Sequence, residues 1–162
     1  MVLTFDKLLY PVKLGTCKHV LMTTYPQKDP DTQKNTTEMN FIALVRNHTD
    51  GTKIIVLLVE EHVIELEKIG DNIKIQVDDT SIQLSQYNGY QLRENGETLL
   101  ELNKLPDGSI ETILSKSDIK ILFDGERIQL MVSKNVKQTG NGCIRKCRLN
   151  VSDATESSSV LV

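Results

Sequence analysis

Asp-Gly and Asn-Gly pairs punctuate the middle of this 162-residue chain, and they constrain its fold more than any other feature. Both residues of such a pair tolerate positive φ, so each pair is a strong signal for the tight turn of a β-hairpin. Pairs begin at Asp50, Asn88, Asn95, Asp107 and Asp124. They predict short strands connected by hairpin turns.

Apolar residues alternate with polar ones on either side of these turns. Ile73 and Ile75 project to one side of a strand, and Lys74 projects to the other. The clearest hairpin spans 119–132, with its turn at 124–125. Further strands are predicted at 8–13, 18–24, 41–46, 53–59, 63–66, 81–84, 98–102 and 110–115. The segment 53–59 is almost wholly apolar after its first residue, so we expect it to lie centrally in a sheet with both faces buried.

The balance of residue types agrees with this pattern. The chain contains 14 Ile and 13 Val but only two Ala. Branched side chains fit a pleated, half-buried surface, whereas Ala is the best helix former. We therefore predict an all-β fold, a mostly antiparallel sandwich of short strands with hairpins and little helix. The length predicts one domain, and the polar stretch 25–39 predicts a long loop.

Charge and hydropathy argue against a nucleic-acid partner and against a membrane-spanning helix. The net charge is −3, and acidic and basic residues are interspersed, whereas a nucleic-acid binder typically shows a basic excess or stripe. No apolar run approaches the roughly 20 residues that a membrane-spanning helix needs. Residues 1–6 have neither the basic start nor the apolar core of a signal peptide, so we expect either a cytosolic protein or a piece of a longer chain.

Residues capable of catalysis do not form a recognisable motif. The sequence lacks G-x-S-x-G, H-E-x-x-H, a Walker loop and a Rossmann glycine run. His19, His48 and His62 are isolated from one another. The acidic run 60–67 predicts a charged outer face of a strand, and the pair at 78–79 predicts a turn. We therefore predict no catalytic, cofactor-binding or metal-binding residues.

Three cysteines bracket the body of the chain. Cys143 and Cys147 form a single C-x-x-x-C pair without a nearby His, which is weak evidence for zinc. A disulfide from Cys17 to either of them would close a loop of more than roughly 100 residues. In the chain-entropy model such a bridge contributes on the order of 4 kcal/mol.

Three sequons accompany the cysteines. Asn35, Asn47 and Asn150 each begin an N-glycosylation pattern. Together with a disulfide they favour a secreted, extracellular protein, and hence a piece of a longer chain.

The N-terminal segment carries the most specific motif in the sequence. It reads T-F-D-x-x-x-Y-x-x-x-x-G-x-C-x-x-V-L, formed by Thr4, Phe5, Asp6, Tyr10, Gly15, Cys17, Val20 and Leu21. This motif resembles the opening of a von Willebrand factor type D domain, a β-rich, disulfide-stabilised extracellular module. The later Phe123-Asp124-Gly125 is similar to the aromatic-Asp-Gly hairpin of the same family.

The resemblance extends to one branch of that family. Residues 14–26, and the Asp29-Pro30 that follows, are similar to the version of the domain in invertebrate vitellogenins, which belong to the large lipid transfer protein family. The resemblance covers roughly residues 2 to 147. It implies a von Willebrand factor type D-like domain over residues 1–149 and a disordered polar tail over residues 150–162.

Two departures from the family pattern affect the expected chemistry. The family places a Gly-Asp-Pro-His segment, whose Asp helps to bind calcium, before T-F-D, and this sequence does not contain that segment. The family closes with C-G-L-C-G-N, where this chain has one more residue between Cys143 and Cys147 and then Arg148. Calcium is the ion that the resemblance suggests, but its usual ligand motifs are absent here. We expect the cysteines to keep only a structural role.

The resemblance implies a non-catalytic interaction and structural module of a secreted yolk-precursor lipid-transport protein. Its expected partners are other domains of the parent lipid-transfer protein and an uptake receptor. Two alternatives stay open from the sequence. One is an assembly or adhesion module of an extracellular clotting or lipophorin-type protein, in which the odd thiol pairs between chains. The other is a small β-barrel that binds an apolar ligand.

Overall fold

A computed structural model describes residues 2–3, 9–10, 17–24, 39–117, 119–132 and 158–161, with only the backbone described at 2–3, 9–10 and 158–161. These residues form strands and no helix, which confirms the predicted all-β class. The strands are β1 (Val2–Leu3), β2 (Leu9–Tyr10), β3 (His19–Thr24), β4 (Phe41–Asn47), β5 (Lys53–Val59), β6 (His62–Ile69), β7 (Asn72–Val77), β8 (Thr80–Ile82), β9 (Tyr90–Glu94), β10 (Glu97–Lys104), β11 (Ile110–Leu114), β12 (Ile119–Phe123), β13 (Ile128–Val132) and β14 (Ser158–Leu161).

The strands form two antiparallel sheets. Sheet 1 has eight strands in the order β2-β1-β14-β13-β12-β11-β10-β9, and sheet 2 has six strands in the order β3-β4-β5-β6-β7-β8. In sheet 2, and from β9 to β13 in sheet 1, each strand pairs with the next one along the chain. Hairpin connections of this kind follow from the short turns between the strands.

The turn at Asn95-Gly96 shows how one dipeptide sets the register of a hairpin. The φ angles are 51° at Asn95 and 82° at Gly96, as a type I′ turn requires. The two residues connect Glu94 to Glu97, which are paired across β9 and β10. The predicted hairpin turn is confirmed here.

A single hydrophobic core lies between the inner faces of the two sheets. In β11, β12 and β13 every second residue is buried, which is the period of a strand with one face inside. Phe41 and Leu66 from sheet 2, and Leu102 and Phe123 from sheet 1, are fully buried in this core. Burial of each such side chain contributes about 1.5–3 kcal/mol, so the pairing of the two faces is the main source of stability.

Strand β5 is buried on both faces, as its apolar sequence predicts. Ile55 and Leu57 point into the core between the sheets, while Ile54 and Val56 lie on the opposite face and are only 2% and 1% exposed. The strand lies between β4 and β6 in the interior of sheet 2. Its central position explains why its sequence does not alternate.

The structure corrects the prediction of a hairpin turn at Asn88-Gly89. Residues 83–89 instead connect β8 to β9, which are the edge strands of the two sheets. Gly89 does not have a positive φ. A Cβ atom at this position would lie 2.9 Å from the carbonyl oxygen of Leu102 and would also overlap the side chain of Asn103. Close packing, rather than turn geometry, is therefore the reason for this glycine.

Four strands differ most from the predicted set, and the two-residue strand β1 is one that was not predicted. Strand β9 was not predicted, because only Leu92 of its five residues is buried and the apolar alternation is weak. Strand β8 ends at Ile82, short of the predicted 81–84. Strand β14 lies at the end of the predicted disordered tail and pairs with β13, so the tail is not disordered at Ser158–Leu161. Residues 150–157 lie outside the described part of the chain, as do residues 8 and 11–13 of the predicted strand 8–13 and residues 25–38 of the predicted long loop.

Candidate functional site

A polar cleft of about 690 Å³ lies at one end of the sandwich. It is formed where the β4–β5 and β6–β7 turns of sheet 2 meet the β12–β13 turn of sheet 1. We call it the end cleft. It is lined by His48, Asp50, Gly51, Thr52, Lys53, Glu67, Lys68, Ile69, Gly70, Gly125 and Glu126.

The two sheets are connected across the end cleft by Glu126. The Nζ of Lys68 lies 3.0 Å from a carboxylate oxygen of Glu126, and the Nζ of Lys53 donates to the backbone carbonyl of the same residue. Because Glu126 is 74% exposed, its ion pair contributes at most about 1 kcal/mol. These contacts hold both lysines against the opposite sheet.

Gly125 lets the β12–β13 turn approach sheet 2 closely. The residue is buried and has a φ of 93°. A Cβ atom there would lie 2.9 Å from Cγ of Lys68. The Asp124 carboxylate accepts hydrogen bonds from the backbone N–H groups of Glu126 and Arg127, at 2.8 and 2.6 Å, which fixes the turn. The Asp-Gly pair of the family motif therefore shapes the end cleft.

His48 at the rim of the end cleft is close to a hydroxyl and a carboxylate, but the three groups cannot act as a catalytic relay. The Oγ1 of Thr49 lies 3.3 Å, and the Oδ1 of Asp50 3.4 Å, from the same ring nitrogen, Nδ1. A relay needs the carboxylate on one ring nitrogen and the nucleophile on the other. The Thr52 hydroxyl, followed by the Thr52 backbone N–H, lowers the pKa of Asp50 by donating to its carboxylate. Asp50 therefore stabilises the turn.

A second histidine is paired with a carboxylate at the opposite end of sheet 2. The Nδ1 of His62 lies 2.6 Å from Oδ2 of Asp78, and the backbone N–H of Val63 donates to Oδ1 at 2.9 Å. The hydrogen bond from Val63, followed by the one with His62, lowers the pKa of Asp78. Asp78 and Asp79 form the predicted turn, with φ angles of 47° and 64°. The His62 contact anchors that turn to β6.

The oriented imidazole of His62 resembles a metal ligand held by a carboxylate. A metal site needs further ligands at the same place. Within the ranges that the structure describes, no group of three or more His, Cys, Asp or Glu side chains is arranged to hold a metal ion. The acidic run lies mainly on the outer face of β6, where Glu65 and Glu67 are half-buried while Ile64 and Leu66 point into the core. The predicted outer face is confirmed.

The structure describes only some of the residues predicted to form a disulfide or to carry a glycan. Cys17 lies just before β3 with its side chain exposed, and it forms no disulfide within the described residues. Cys143 and Cys147 lie outside the described residues, so the disulfide stays a prediction. Asn47 ends β4 and is half-buried, and the other two residues of its sequon, His48 and Thr49, are exposed on the β4–β5 turn.

The remaining predicted residues lie outside the described part of the chain. They are the sequon residues Asn35 and Asn150 and the motif residues Thr4, Phe5, Asp6 and Gly15. From the family motif the structure therefore describes Cys17, Val20 and Leu21, in and just before β3, and Asp124 and Gly125, in the β12–β13 turn. No helix in the described ranges is long and apolar enough to cross a membrane.

Comparison with known proteins shows similarity to a vitellogenin. No protein-family model and no solved structure matches the chain. The chain is 34% identical to vitellogenin-1 of Solenopsis invicta over 139 residues, which cover 82% of this chain. The chain is related to a region of vitellogenin. It spans only 8% of the length of that relative.

The end cleft and the pair of His62 and Asp78 were not predicted. In this vitellogenin-related chain Lys68 and Glu126 lie 58 residues apart in sequence, and only the two-sheet arrangement brings them together. His62 and Asp78 meet across the β6–β7 hairpin. The sequence signals that could have been used are local. They are the Asp-Gly pair at 124–125 and the two adjacent aspartates at 78–79, which mark the turns involved.

Proposed function

We propose that this chain is a non-catalytic interaction and structural module of a secreted, vitellogenin-like yolk-precursor lipid-transport protein. The similarity to vitellogenin-1 over most of the chain carries the proposal. Lipid transport and nutrient storage are functions of the parent protein in this proposal, and the module contributes a stable β platform to it.

The packing of the described residues supports a platform rather than a container. The inner faces of both sheets are filled by large apolar side chains, including Phe41, Leu57 and Phe123, which are fully buried. The sheets are two separate open sheets, which does not favour the alternative of a closed β-barrel with an apolar ligand inside. The end cleft is lined mainly by charged and polar residues, and its lysines contact Glu126.

The finer assignment is a von Willebrand factor type D-like domain over residues 1–149. The buried Gly125 with its positive φ, and the Asp124 carboxylate that caps the turn, support it, because both residues belong to the motif. In this proposal Cys17 forms a disulfide with Cys143 or Cys147. The module faces other domains of the parent protein and an uptake receptor.

A lipid-binding measurement tests the platform role. The isolated chain and its parent protein are each mixed with phospholipid vesicles and with fatty acid, then separated and analysed for bound lipid. We expect the parent to retain lipid and the chain to retain none in stoichiometric amount, since its core is filled. Stoichiometric, tight uptake by the chain alone would favour the apolar-ligand alternative.

Electrophoresis and peptide mapping under non-reducing conditions distinguish the proposal from the clotting or lipophorin-type alternative. The chain is produced in a secretory system. We expect a monomer in which Cys17 is joined to Cys143 or Cys147, and glycans on the sequons. A covalent dimer through the unpaired cysteine would favour an assembly module, and three free thiols would contradict the extracellular assignment.

A further inference from the structure

Two Asn-Gly pairs of identical chemistry lie in very different settings in the described part of the chain. Asn88-Gly89 lies in the exposed connection 83–89 between the two sheets. Asn95-Gly96 forms the two-residue turn between β9 and β10. The two asparagines therefore allow the effect of conformation to be compared within one molecule.

We propose that Asn88 is a site of spontaneous, conformationally selected deamidation, whereas Asn95 is protected by its turn. In the reaction the deprotonated backbone nitrogen of Gly89 attacks Cγ of Asn88. A new C–N bond forms, the bond from Cγ to the side-chain nitrogen breaks, and ammonia leaves, which gives a cyclic imide. Water then opens the imide to aspartate or isoaspartate. No oxidant or reductant is involved, and this inference does not depend on the proposed function.

The setting of Asn88 leaves the reacting atoms accessible. Asn88 is exposed, and the glycine after it presents no Cβ to obstruct the attack. The Ser85 hydroxyl accepts hydrogen bonds from the backbone N–H groups of Tyr87 and Asn88, at 3.4 and 3.0 Å. Among the described contacts, neither the Asn88 carboxamide nor the Gly89 N–H is engaged in a hydrogen bond. The loop is therefore ordered by a contact that does not involve the reacting groups.

The setting of Asn95 opposes the same reaction. The φ angles of 51° and 82° are those of a type I′ turn, whose first central residue has a ψ of about 30°. At that ψ, the Cβ of Asn95 and the nitrogen of Gly96 lie on nearly opposite sides of the Cα–C bond, so the nitrogen cannot reach Cγ. Reaction at Asn95 requires the turn to open first, and opening the turn disrupts the pairing of Glu94 with Glu97.

The reaction would change the surface that the loop presents. It adds a negative charge next to Tyr87, which is 93% exposed. The isoaspartate product also inserts one methylene into the backbone immediately before Gly89. Since Gly89 packs against the carbonyl of Leu102, we expect the inserted atom to displace the start of β9.

Mass-spectrometric peptide mapping of the full chain tests the inference. The chain is incubated in mildly alkaline buffer at physiological temperature, and conversion at each Asn-Gly pair is followed over time. We expect conversion at Asn88 to be faster than at Asn95 by about tenfold or more, where tenfold corresponds to about 1.4 kcal/mol in the barrier. Equal rates, or a faster reaction at Asn95, would overturn the proposal. The pair at Asn141 lies outside the described residues and gives a separate peptide.

Two controls attribute the difference to the fold. In concentrated denaturant the turn at Asn95 and the connection around Asn88 are both unfolded, and the rates at Asn88 and Asn95 should converge; a ratio that persists there would contradict conformational selection. The Asn88→Gln variant should abolish rapid product formation at residue 88 without changing the rate at Asn95, because the longer side chain closes its ring more slowly.

Discussion

The hydroxyl of Thr112 is a polar group in an apolar setting. Thr112 is fully buried in β11, opposite Leu102 of β10 and Ile121 of β12, and its Oγ1 has no hydrogen-bond partner in the described core. A buried hydroxyl without a partner costs about 1–3 kcal/mol. Valine has nearly the same shape without that cost. We expect Thr112→Val to raise the free energy of unfolding by about 1 kcal/mol, measured by urea denaturation.

Thr24 provides the matched control for Thr112. Its Oγ1 donates to the carbonyl oxygen of Met39 at 2.8 Å. The same change, Thr24→Val, removes a hydrogen bond and should lower the free energy of unfolding by about 1 kcal/mol. If both variants shift stability in the same direction, the presence or absence of a hydroxyl partner does not decide the effect.

Asp78 should contribute to the pH dependence of stability. Hydrogen bonds from Val63 and His62 lower its pKa in the folded state below the unfolded value of about 3.9. The contribution to stability is therefore present above that unfolded value, and it is lost as the pH falls through the lower, folded value. We expect Asp78→Asn to lower the free energy of unfolding by about 0.5–1 kcal/mol at neutral pH, since the site is partly exposed.

Denaturation of both proteins across the acidic range measures this effect. Asparagine tolerates the positive φ at position 78, so the backbone is not strained by the change. The difference in the free energy of unfolding between native and variant protein should start to shrink as the pH falls below about 3.9, and it should approach zero only below the lower pKa of folded Asp78. A difference that stays constant with pH would mean that the carboxylate charge is not the source of the stability.

The β12–β13 turn packs closely against the opposite sheet at Gly125. Gly125 and Gly51 have nearly identical φ angles, 93° and 89°, but a Cβ at Gly125 would overlap Lys68, whereas a Cβ at Gly51 meets nothing within 4 Å. We expect Gly51→Ala to cost about 1 kcal/mol from backbone strain alone and Gly125→Ala to cost about 1–3 kcal/mol. Thermal or urea denaturation of both variants gives the comparison, and equal costs would show that the packing on Lys68 is unimportant.

Local sequence patterns predicted most of the strands, because apolar and polar residues alternate along a strand that has one buried face. The alternation at 119–132 and the apolar run at 54–59 predicted strands with the correct buried faces. The edge strand β9 lacks such a pattern, since only one of its five residues is buried. The end cleft could not be predicted, because the distance from Lys68 to Glu126 depends on how the two sheets pack.

For the whole molecule, the predicted disulfide would be the largest single constraint. Cys17 is exposed immediately before β3 and is chemically accessible. We expect Cys17→Ser to lower the free energy of unfolding by as much as about 4 kcal/mol in protein from a secretory system. One of the variants Cys143→Ser and Cys147→Ser should reproduce that loss and the other should not. If reducing agent leaves the native protein's unfolding midpoint unchanged, there is no stabilising bridge.

The pairing of each strand with its sequence neighbour has a consequence for folding kinetics. Sheet 2 and the β9–β13 part of sheet 1 are two successive meanders, so most of their contacts close short loops. Local contacts of this kind favour rapid folding, whereas the pairing of β1 with β14 joins residues far apart in sequence. We therefore expect the two meanders to be able to form early, with the β1–β14 pairing following as a slower step. The connection at 83–89 then acts as the hinge about which one preformed meander closes onto the other.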